Sequence, residues 1–357
     1  MTGKKIFLSI LIALFLVPAA SFANEENSAE NLEGEDKTKT EIKEYIDHHL
    51  MDSYDFTIWH AMHWEFPLPI ILFDEGMQVF SSSRFHNENH VAEYNGNYYT
   101  INHHNNKIYK TDAQGTLTFD EDGHATQVAP LNLSITKNVV SILLFSILIF
   151  VLFSNVAKSY KGGHIPNKLG RFLEPLVIFI RDDIAVPNIG EKHHRRFMGY
   201  LLTVFFFIWF INLAGLTPLG INVTGNIAVT FFLALLTFFI TQFVGKKDYW
   251  KHIFWMPGVP VPMKIILMPI ELLGLIIKPF SLMIRLYANM TAGHVVIMSL
   301  IGLLYIFNNW FARGSFLGLT LFLSIIELLV AFLQAYIFTM LTALYFASAV
   351  EEHDDHH

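Results

Sequence analysis

Apolar residues form long unbroken runs in the second half of the chain. Three runs, at 139–157, 197–219 and 227–245, are each about 19 residues or longer, enough for a helix to cross a hydrocarbon core of about 30 Å. Two further runs, at 265–307 and 315–350, span roughly 65 and 54 Å as helices. The pattern therefore predicts an all-α polytopic membrane protein with about five membrane-crossing helices.

The last two runs are too long to stand upright in a bilayer. Even a tilt within the usual range of about 0–40° leaves them longer than the hydrocarbon core. We therefore expect two strongly oblique, antiparallel helices. The first should be kinked near Pro279, and residues 308–314 should connect the two.

The first half of the chain shows a different pattern. Residues 24–41 are charged and poor in apolar groups, which is typical of a disordered linker. From about 42 to 130 short runs alternate with turn residues, including Asn95-Gly96 between tyrosine-rich flanks, Gly115 and Asp122-Gly123. This pattern predicts that residues 42–130 form a small β-rich or mixed domain, which precedes the membrane domain at 131–350.

The N-terminus carries the features of a secretory signal. Residues 1–5 are basic, 6–20 are apolar, and 21–23 are Ser-Phe-Ala, so we expect a signal peptide over 1–23. An uncleaved anchor helix is the alternative, although about 15 apolar residues are fewer than the ~20 needed to span. Either way, the 42–130 domain should lie outside the cell.

Positive charge gives the same topology independently. The segments after the first and third apolar runs are rich in Lys and Arg, whereas 220–226 has none. The rule that positive loops stay inside places the N-terminal domain outside and the 351–357 tail in the cytoplasm. The expected location is a bacterial inner (plasma) membrane.

Composition narrows the chemistry. The chain is 53% hydrophobic with 33 phenylalanines, and it has no cysteine, which excludes disulfides and thiolate metal sites. A net charge of -7 without a basic patch gives no footprint for nucleic acid. Histidines are frequent in the N-terminal domain and leave a metal site conceivable, but without zinc-enzyme spacing we expect no metal and no cofactor: His48, His49, His60, His63, His86, His90, His103, His104 and His124.

Arg285 lies deep inside the fourth apolar run. An arginine at a helix centre costs about 2.5–3.5 kcal/mol on insertion scales, so such a residue is a functional-site candidate. A seven-residue step advances nearly two helical turns, which puts Glu271 and Lys278 on the same stripe as Arg285. Ser281 and Asn289, four residues either side, share that face. His294 points roughly the opposite way and adds a group that exchanges protons near neutral pH.

Each of these residues also has a structural interpretation. Arg285 could form an ion pair with Glu271 or Glu327 inside a helical bundle. Glu271 and Lys278 could extend from a helix end to the membrane surface. Asn212 could simply hydrogen-bond a neighbouring helix.

The residues around Arg285 resemble the signature of subunit a of the F-type ATP synthase. The resemblance rests on 285–290, Arg-Leu-Tyr-Ala-Asn-Met, followed by Ala292-Gly293-His294. It extends over roughly 135–353 through further motifs: Glu271, Lys278-Pro279, Ser281, Asn212-Leu213, Asn222-Val223-Thr224, Glu327, Gln334-Ala335 and 351–353. Residues 45–50, Tyr-Ile-Asp-His-His-Leu, resemble the N-terminal segment of the same family.

The resemblance implies a stator that carries protons through two half-channels to a rotating c-ring, with no ATP chemistry on this chain. Arg285 would separate the half-channels. Counting from the predicted connection puts His294 level with Glu327, and Gln334 near the level of Arg285, about 3 Å apart in axial height. Expected partners are the c-ring proteolipids, the peripheral-stalk b subunits, the rest of the complex and the lipid bilayer. The proton-path candidates are Asn289, His294, Glu327, Gln334, Asn212, Glu271, Ser281 and Lys278.

Two other classes stay open. A secondary transporter could use Arg285 to hold an anionic substrate, although no inverted repeat is evident. A membrane-anchored enzyme lacks any recognisable nucleophile, paired-acid or metal spacing. The coupling ion, H⁺ or Na⁺, is not determined by this chain.

Overall fold

A computed structural model describes residues 51–59, 64–87, 89–102, 105–120, 125–161, 168–217, 220–256, 259–307 and 309–350. The predicted signal peptide, the acidic linker and the C-terminal tail lie outside these residues. So do most of the histidines named above, since only His86 and His90 of that group are described.

The described chain forms two compact units. The first contains the N-terminal domain with the start of the first long helix up to Leu143, and also Ala214–Asn222 and His294–Ile325. The second contains Leu144–Leu213, Val223–Gly293 and the chain from Ile326 onward. The helices at 137–161, 194–215, 261–306 and 310–350 therefore each contribute residues to both units, whereas the helix at 227–244 lies in the second unit alone.

The N-terminal domain is built from short antiparallel strands. They are β1 (Asp55–Trp59), β2 (Trp64–Pro67), β3 (Pro69–Phe73), β4 (Met77–Ser81), β5 (Val91–Tyr94), β6 (Asn97–Ile101), β7 (Ile108–Thr111) and β8 (Leu131–Asn132). The sheets are β1-β2, β4-β3-β8 and β5-β6-β7. Asn95 and Gly96 both have positive φ, 50° and 79°, as a two-residue hairpin turn requires, so the predicted β5-β6 turn is confirmed.

One core joins the two three-stranded sheets. Alternate residues of each sheet point inward, because successive side chains in a strand face opposite sides. The buried cluster contains Tyr54, Ile70, Leu72, Phe80, Phe85, Ala92, Tyr99 and Ile108. Phe80 stacks on Tyr99 with ring centroids 6.0 Å apart. The predicted β-rich domain is therefore present.

Backbone and side-chain hydrogen bonds fasten this domain to the first long helix, α1 (Lys137–Lys161). Lys137 N donates to Ser53 O at 2.8 Å, and Asn138 N donates to Asp52 Oδ1 at 3.1 Å. The Asp52 carboxylate thus accepts from one of the N–H groups that a helix leaves unpaired in its first turn. Burial raises the pKa of Asp52, opposed by its hydrogen bonds to Thr136 and Asn138.

Seven further helices follow α1. They are α2 (Lys168–Phe179), α3 (Val186–Ile189), α4 (His194–Gly215), α5 (Ile227–Val244), α6 (Lys247–Phe254), α7 (Val261–Ile306) and α8 (Trp310–Val350). Five of the described helices, α1, α4, α5, α7 and α8, are long and apolar enough to cross a membrane, as predicted. Helix α7 continues through Pro269 and Pro279, and the kink at Pro279 stays a prediction.

The predicted connection at 308–314 is wrong. Helix α7 ends at Ile306 and α8 already begins at Trp310. Asn309 explains the early start, because its side chain accepts a hydrogen bond from Phe311 N at 3.1 Å, as an N-cap residue does. Gly314, which we expected in the turn, lies within the helix.

The basic segment after α1 is not only a loop. It contains α2, a π-helical turn at Ile180–Ala185, and α3. These elements are amphipathic: Leu173, Ile180 and Ile184 are buried, whereas Arg181 pairs with Asp182 at the surface at 2.6 Å. Their apolar residues join the core of the second unit.

Aromatic side chains fill that core. Phe205 makes edge-on contacts with Phe206 and Phe332, and Phe197 stacks on Phe346 at 4.6 Å. Rings of this size bury much area and set the spacing between helices. They hold α4 against α8 within the unit.

Candidate functional site

Arg285 lies within the membrane-crossing part of α7 and is half-buried. Among the described residues it forms no hydrogen bond and no ion pair. The alternative of a structural ion pair with Glu271 or Glu327 therefore finds no support within the described chain. An unpaired cation inside an apolar span is costly and is usually retained for an interaction with a ligand or partner.

An exposed face runs along α7 beside the arginine. Ile277, Ser281, Ile284 and Ala288 are spaced three or four residues apart and are all exposed. Ser281 and Ala288 are small, which allows another helix to approach closely. The arginine therefore borders a surface suited to a partner helix.

Asn289 and Gln334 are brought together. Asn289 Nδ2 donates to Gln334 Oε1 at 2.8 Å, and the Gln334 side chain is buried. Asn289 lies one turn from Arg285 on α7. The bond joins α7 to α8 one helical turn from the arginine.

Glu327 is buried on α8, and its Oε1 has no hydrogen-bond partner among the described residues. Its carboxylate occupies the space beside Gly293 on α7, where a Cβ on Gly293 would overlap it. Gly293 is therefore needed for the carboxylate to sit where it does. A buried, underbonded carboxylate is a candidate proton carrier.

Further contacts fix how the two long helices run in this unit. Lys278 Nζ lies 5.7 Å from the centre of the Tyr345 ring. Going from Lys278 to Asn289 to Gly293 along α7, the partners on α8 are Tyr345, Gln334 and Glu327. The order reverses, so α7 and α8 are antiparallel, as predicted.

His294 belongs to the first unit and is buried. Its Nε2 has no hydrogen-bond partner within the part of the chain that the structure describes. An imidazole nitrogen without a partner in a buried site is able to take or give a proton if a relay reaches it. The predicted pairing of His294 with Glu327 stays a proposal.

Asn212 is fully buried on α4. Its Oδ1 accepts a hydrogen bond from Thr224 Oγ1 at 2.7 Å, while its Nδ2 lacks a partner among the described residues. The bond ties α4 to the segment before α5. The structural interpretation, a hydrogen bond to a neighbouring element, accounts for one half of the amide group only.

Lys278 lines a small cavity within the second unit. Polar groups from α5, α6, α7 and α8 border it: Thr237, Thr241, Gln242, Tyr249, Lys278, Tyr345 and Ser348. Glu271 influences the same region. Burial of the Tyr249 hydroxyl raises its pKa, and the negative charge of Glu271 raises that pKa further. Lys278 therefore lines a small cavity that has both polar and apolar walls.

The sequence did not single out several residues that shape the site. From the sequence alone, a glycine inside a helix indicates only a small loss of stability. The role of Gly293 became apparent from its contact with the Glu327 carboxylate. Thr224, Tyr249 and Tyr345 read as ordinary polar or aromatic residues. Gly293 and Thr224 had a sequence signal only as members of the Ala292-Gly293-His294 and Asn222-Val223-Thr224 motifs.

No group of three or more His, Asp or Glu side chains that could hold a metal ion occurs in the described ranges. His86 instead contacts Asp55, with Nε2 and Oδ2 3.1 Å apart. The fold and the site thus define a polytopic helical membrane protein with an unpaired arginine and underbonded polar groups inside its spans.

Comparison with known sequences identifies the family. The ATP synthase A chain family matches residues 139–347, and a second family, described as a domain of unknown function, matches residues 45–133. The chain belongs to the ATP synthase A chain family. The second match coincides with the β-rich N-terminal domain.

Individual proteins that are similar to this chain are described as ATP synthase subunits a. The ATP synthase subunit a of Anaeromyxobacter dehalogenans (strain 2CP-C) is 43% identical over 244 residues, 66% of this chain and 63% of that protein. Subunit a of Anaeromyxobacter sp. (strain Fw109-5) is also 43% identical, over 62% of its length. ATP synthase subunit a 2 of Chlorobaculum tepidum is 45% identical over 254 residues, 68% of this chain and 71% of that protein. The match spans less than two thirds of the two Anaeromyxobacter proteins.

Proposed function

We propose that this chain is the stator that conducts protons to and from a rotating c-ring in an F-type ATP synthase. The observation that carries the proposal is Arg285, an unpaired cation inside a membrane-crossing helix, at the border of an exposed face. Family membership supports the same function, and no comparison favours the transporter alternative.

Arg285 would act on the carboxylate of a c-subunit. With an effective dielectric constant of about 20, two unit charges about 4 Å apart interact by about 4 kcal/mol. That attraction favours the ionised carboxylate by roughly 10³-fold, so a protonated carboxylate arriving next to Arg285 releases its proton. The same fixed charge opposes a proton that would pass directly between the half-channels.

The inlet would run past His294 and Glu327 to Asn289 and Gln334. These side chains combine two titratable groups with an amide pair whose bond is 2.8 Å long, next to Arg285. Asn212, with its unpartnered Nδ2, would help to line this route. Of these groups, the His294 imidazole and the Glu327 carboxylate can take up and release a proton, whereas the amides would orient the proton path through hydrogen bonds.

The outlet would start at the small cavity that Lys278 lines within the second unit. Lys278 and Tyr345 line it, and Glu271 lies close enough to influence Tyr249. The charge distribution supports an orientation with this end toward the cytoplasm, because Lys246, Lys247 and Lys251 lie at and within α6. The N-terminal domain would then face outward in a bacterial plasma membrane.

The partner of the exposed α7 face can be tested by cross-linking. The chain contains no cysteine, so Ser281→Cys introduces a single thiol on that face. We expect a disulfide with a cysteine placed on the outer helix of the c-subunit near its carboxylate. Phe150→Cys, on the exposed side of α1, is the matched control and should not cross-link. A ring that cross-links equally from both positions, or from neither, contradicts this docking face.

Gly293→Ala tests the position of the Glu327 carboxylate. The new Cβ would overlap the end of a flexible side chain, so we expect the carboxylate to move while the protein still assembles. A misplacement of about 1 Å can cost up to ~10²-fold in rate, and we expect ATP-driven proton pumping to fall by on the order of tenfold or more.

Gly274→Ala is the control for this variant, because it lies on the same helix with nothing within 4 Å of the added Cβ. It should pump normally. The shorter acid in Gly293→Ala with Glu327→Asp should recover part of the lost rate. Normal pumping by Gly293→Ala would show that the contact has no part in proton transfer.

A further inference from the structure

The N-terminal domain has an apolar face on the outside of its β4-β3-β8 sheet. Ile70 and Leu72 point into the core, so Ile71 and Phe73 point away from it. Cross-strand pairing places Val79 opposite Ile71, and both Met77 and Leu131 opposite Phe73. Leu133 N donates to Ile71 O, which extends the face by one more residue.

This face is exposed and carries no charged side chain. Phe73 is 44% exposed, Met77 64%, Val79 42%, Leu131 64% and Leu133 57%. An antiparallel sheet with one face in a core normally has a polar outer face. Contiguous apolar patches of this kind mark interaction sites.

The second sheet of the same domain provides the contrast. One row of its outer side consists of Glu93, Tyr98 and Thr111, which are paired directly across the three strands, with Glu93 exposed and the other two half-buried. The two sheets share one core, and only β4-β3-β8 has an apolar outer face. The apolar face is therefore a local feature and does not follow from the composition of the domain.

The position of the apolar sheet indicates what covers it. Ile135 N donates to Pro69 O at 3.1 Å, two residues before α1 begins at Lys137. Two extended residues reach about 7 Å at most. Ile135, which is bonded to the first residue of the central strand β3, therefore lies within about 7 Å of Lys137, where a membrane-crossing helix begins.

Apolar side chains are also exposed in the first turns of α1. Val139, Leu143 and Leu144 are 39%, 54% and 53% exposed in the first turns of that helix. Lys137 N and Asn138 N are bonded to Ser53 and Asp52, which prevents the domain from swinging freely on a linker. The sheet and the helix thus both expose apolar side chains close to the start of α1.

We propose that the outer face of the β4-β3-β8 sheet lies on the lipid bilayer, in the leaflet where α1 begins. Its aromatic, Met and Leu side chains enter the boundary between headgroups and acyl chains. Interfacial segments of this kind bury their apolar face about 5–10 Å deep. The domain is then a membrane-surface module that orients the outer end of α1. This inference needs only the membrane position of α1 and is independent of proton conduction.

The absence of cysteine permits a direct test on the full chain. Met77→Cys and Val79→Cys place a thiol on the face, and Glu93→Cys places one on the polar sheet as a matched control. Each single-cysteine chain is labelled with an environment-sensitive fluorophore and reconstituted in phosphatidylethanolamine–phosphatidylglycerol vesicles. Lipids brominated at different depths and aqueous iodide then report the position of the label.

We expect shallow brominated lipids to quench the labels at 77 and 79, and iodide to quench the label at 93. Labels at 77 and 79 that respond to iodide as strongly as the label at 93 would overturn the proposal. A second contrary result is shielding of 77 and 79 from both quenchers in membranes that hold the whole complex, with iodide quenching of the isolated chain. That result would assign the face to a protein partner.

Discussion

Arg285→Ala is expected to abolish ATP-driven proton pumping while the protein still assembles with its complex. The side chain has no hydrogen-bond or ion-pair partner among the described residues, so its removal breaks no hydrogen bond or ion pair between them. It instead removes the charge that releases protons from the ring and blocks their direct passage. The measurement is proton uptake by inverted vesicles on addition of ATP, with assembly checked by co-purification of the ring.

The energetic consequence of losing Arg285 can be stated per proton. Each proton that crosses without turning the ring wastes about 2.3 kcal/mol per 100 mV of membrane potential. We therefore expect passive proton leakage as well as loss of pumping. Lysine should restore little activity, because its compact ammonium differs from the planar guanidinium in reach and in the geometry of its donors.

Arg313→Ala is the matched control. Arg313 also lies on a membrane-crossing helix, but it is exposed and donates to Phe307 O at 3.2 Å near the start of α8. Its removal should leave pumping close to normal. Wild-type pumping by Arg285→Ala would contradict the stator function, whereas failure to assemble would show that the arginine also has a structural role.

The membrane-crossing helices could be predicted from the sequence because a bilayer imposes a minimum apolar length on every span. The β5-β6 hairpin could be predicted because Asn95 and Gly96 tolerate positive φ. Helix α2 could not. Its buried residues, such as Leu173, alternate with charged ones, and it is held by packing within the second unit instead of by a long apolar run that the sequence pattern would reveal.

The features of the site likewise fall into those that could be predicted from the sequence and those that could not. Counting along two antiparallel helices could place Gln334 near the level of Arg285, since each residue rises 1.5 Å. The contact of Gly293 with Glu327 could not, because it depends on a missing side chain and on how closely the helices approach. The start of α8 was misplaced for a local reason: the Asn309 cap outweighed the turn tendency of Gly314.

Exchanging His294 and Glu327 is the second decisive experiment. Each single change, His294→Glu or Glu327→His, should reduce proton pumping strongly, because it replaces an acid–imidazole pair with two like groups. The double swap should retain much more activity than either single change. This expectation follows if the two side chains form one relay, in which either order supplies a carboxylate and an imidazole to a passing proton.

The described structure supports the two halves of this expectation separately. The Glu327 carboxylate lies against Gly293, which directly precedes His294 in the chain, and one of its oxygens is unpartnered. His294 is buried with Nε2 unpartnered. Both groups therefore lie in places where water is scarce and where a proton has few other carriers.

A stabilising ion pair would respond differently from a relay. Swapping the partners of an ion pair restores folding and assembly, but it has no reason to restore the rate of proton transfer in complexes that already assemble. Pumping is therefore compared per assembled complex, and the double-mutant cycle gives the coupling between the two sites. If the swap is as inactive as the worse single variant, or if both single variants pump normally, then His294 and Glu327 do not act as one relay and the inlet must follow other side chains.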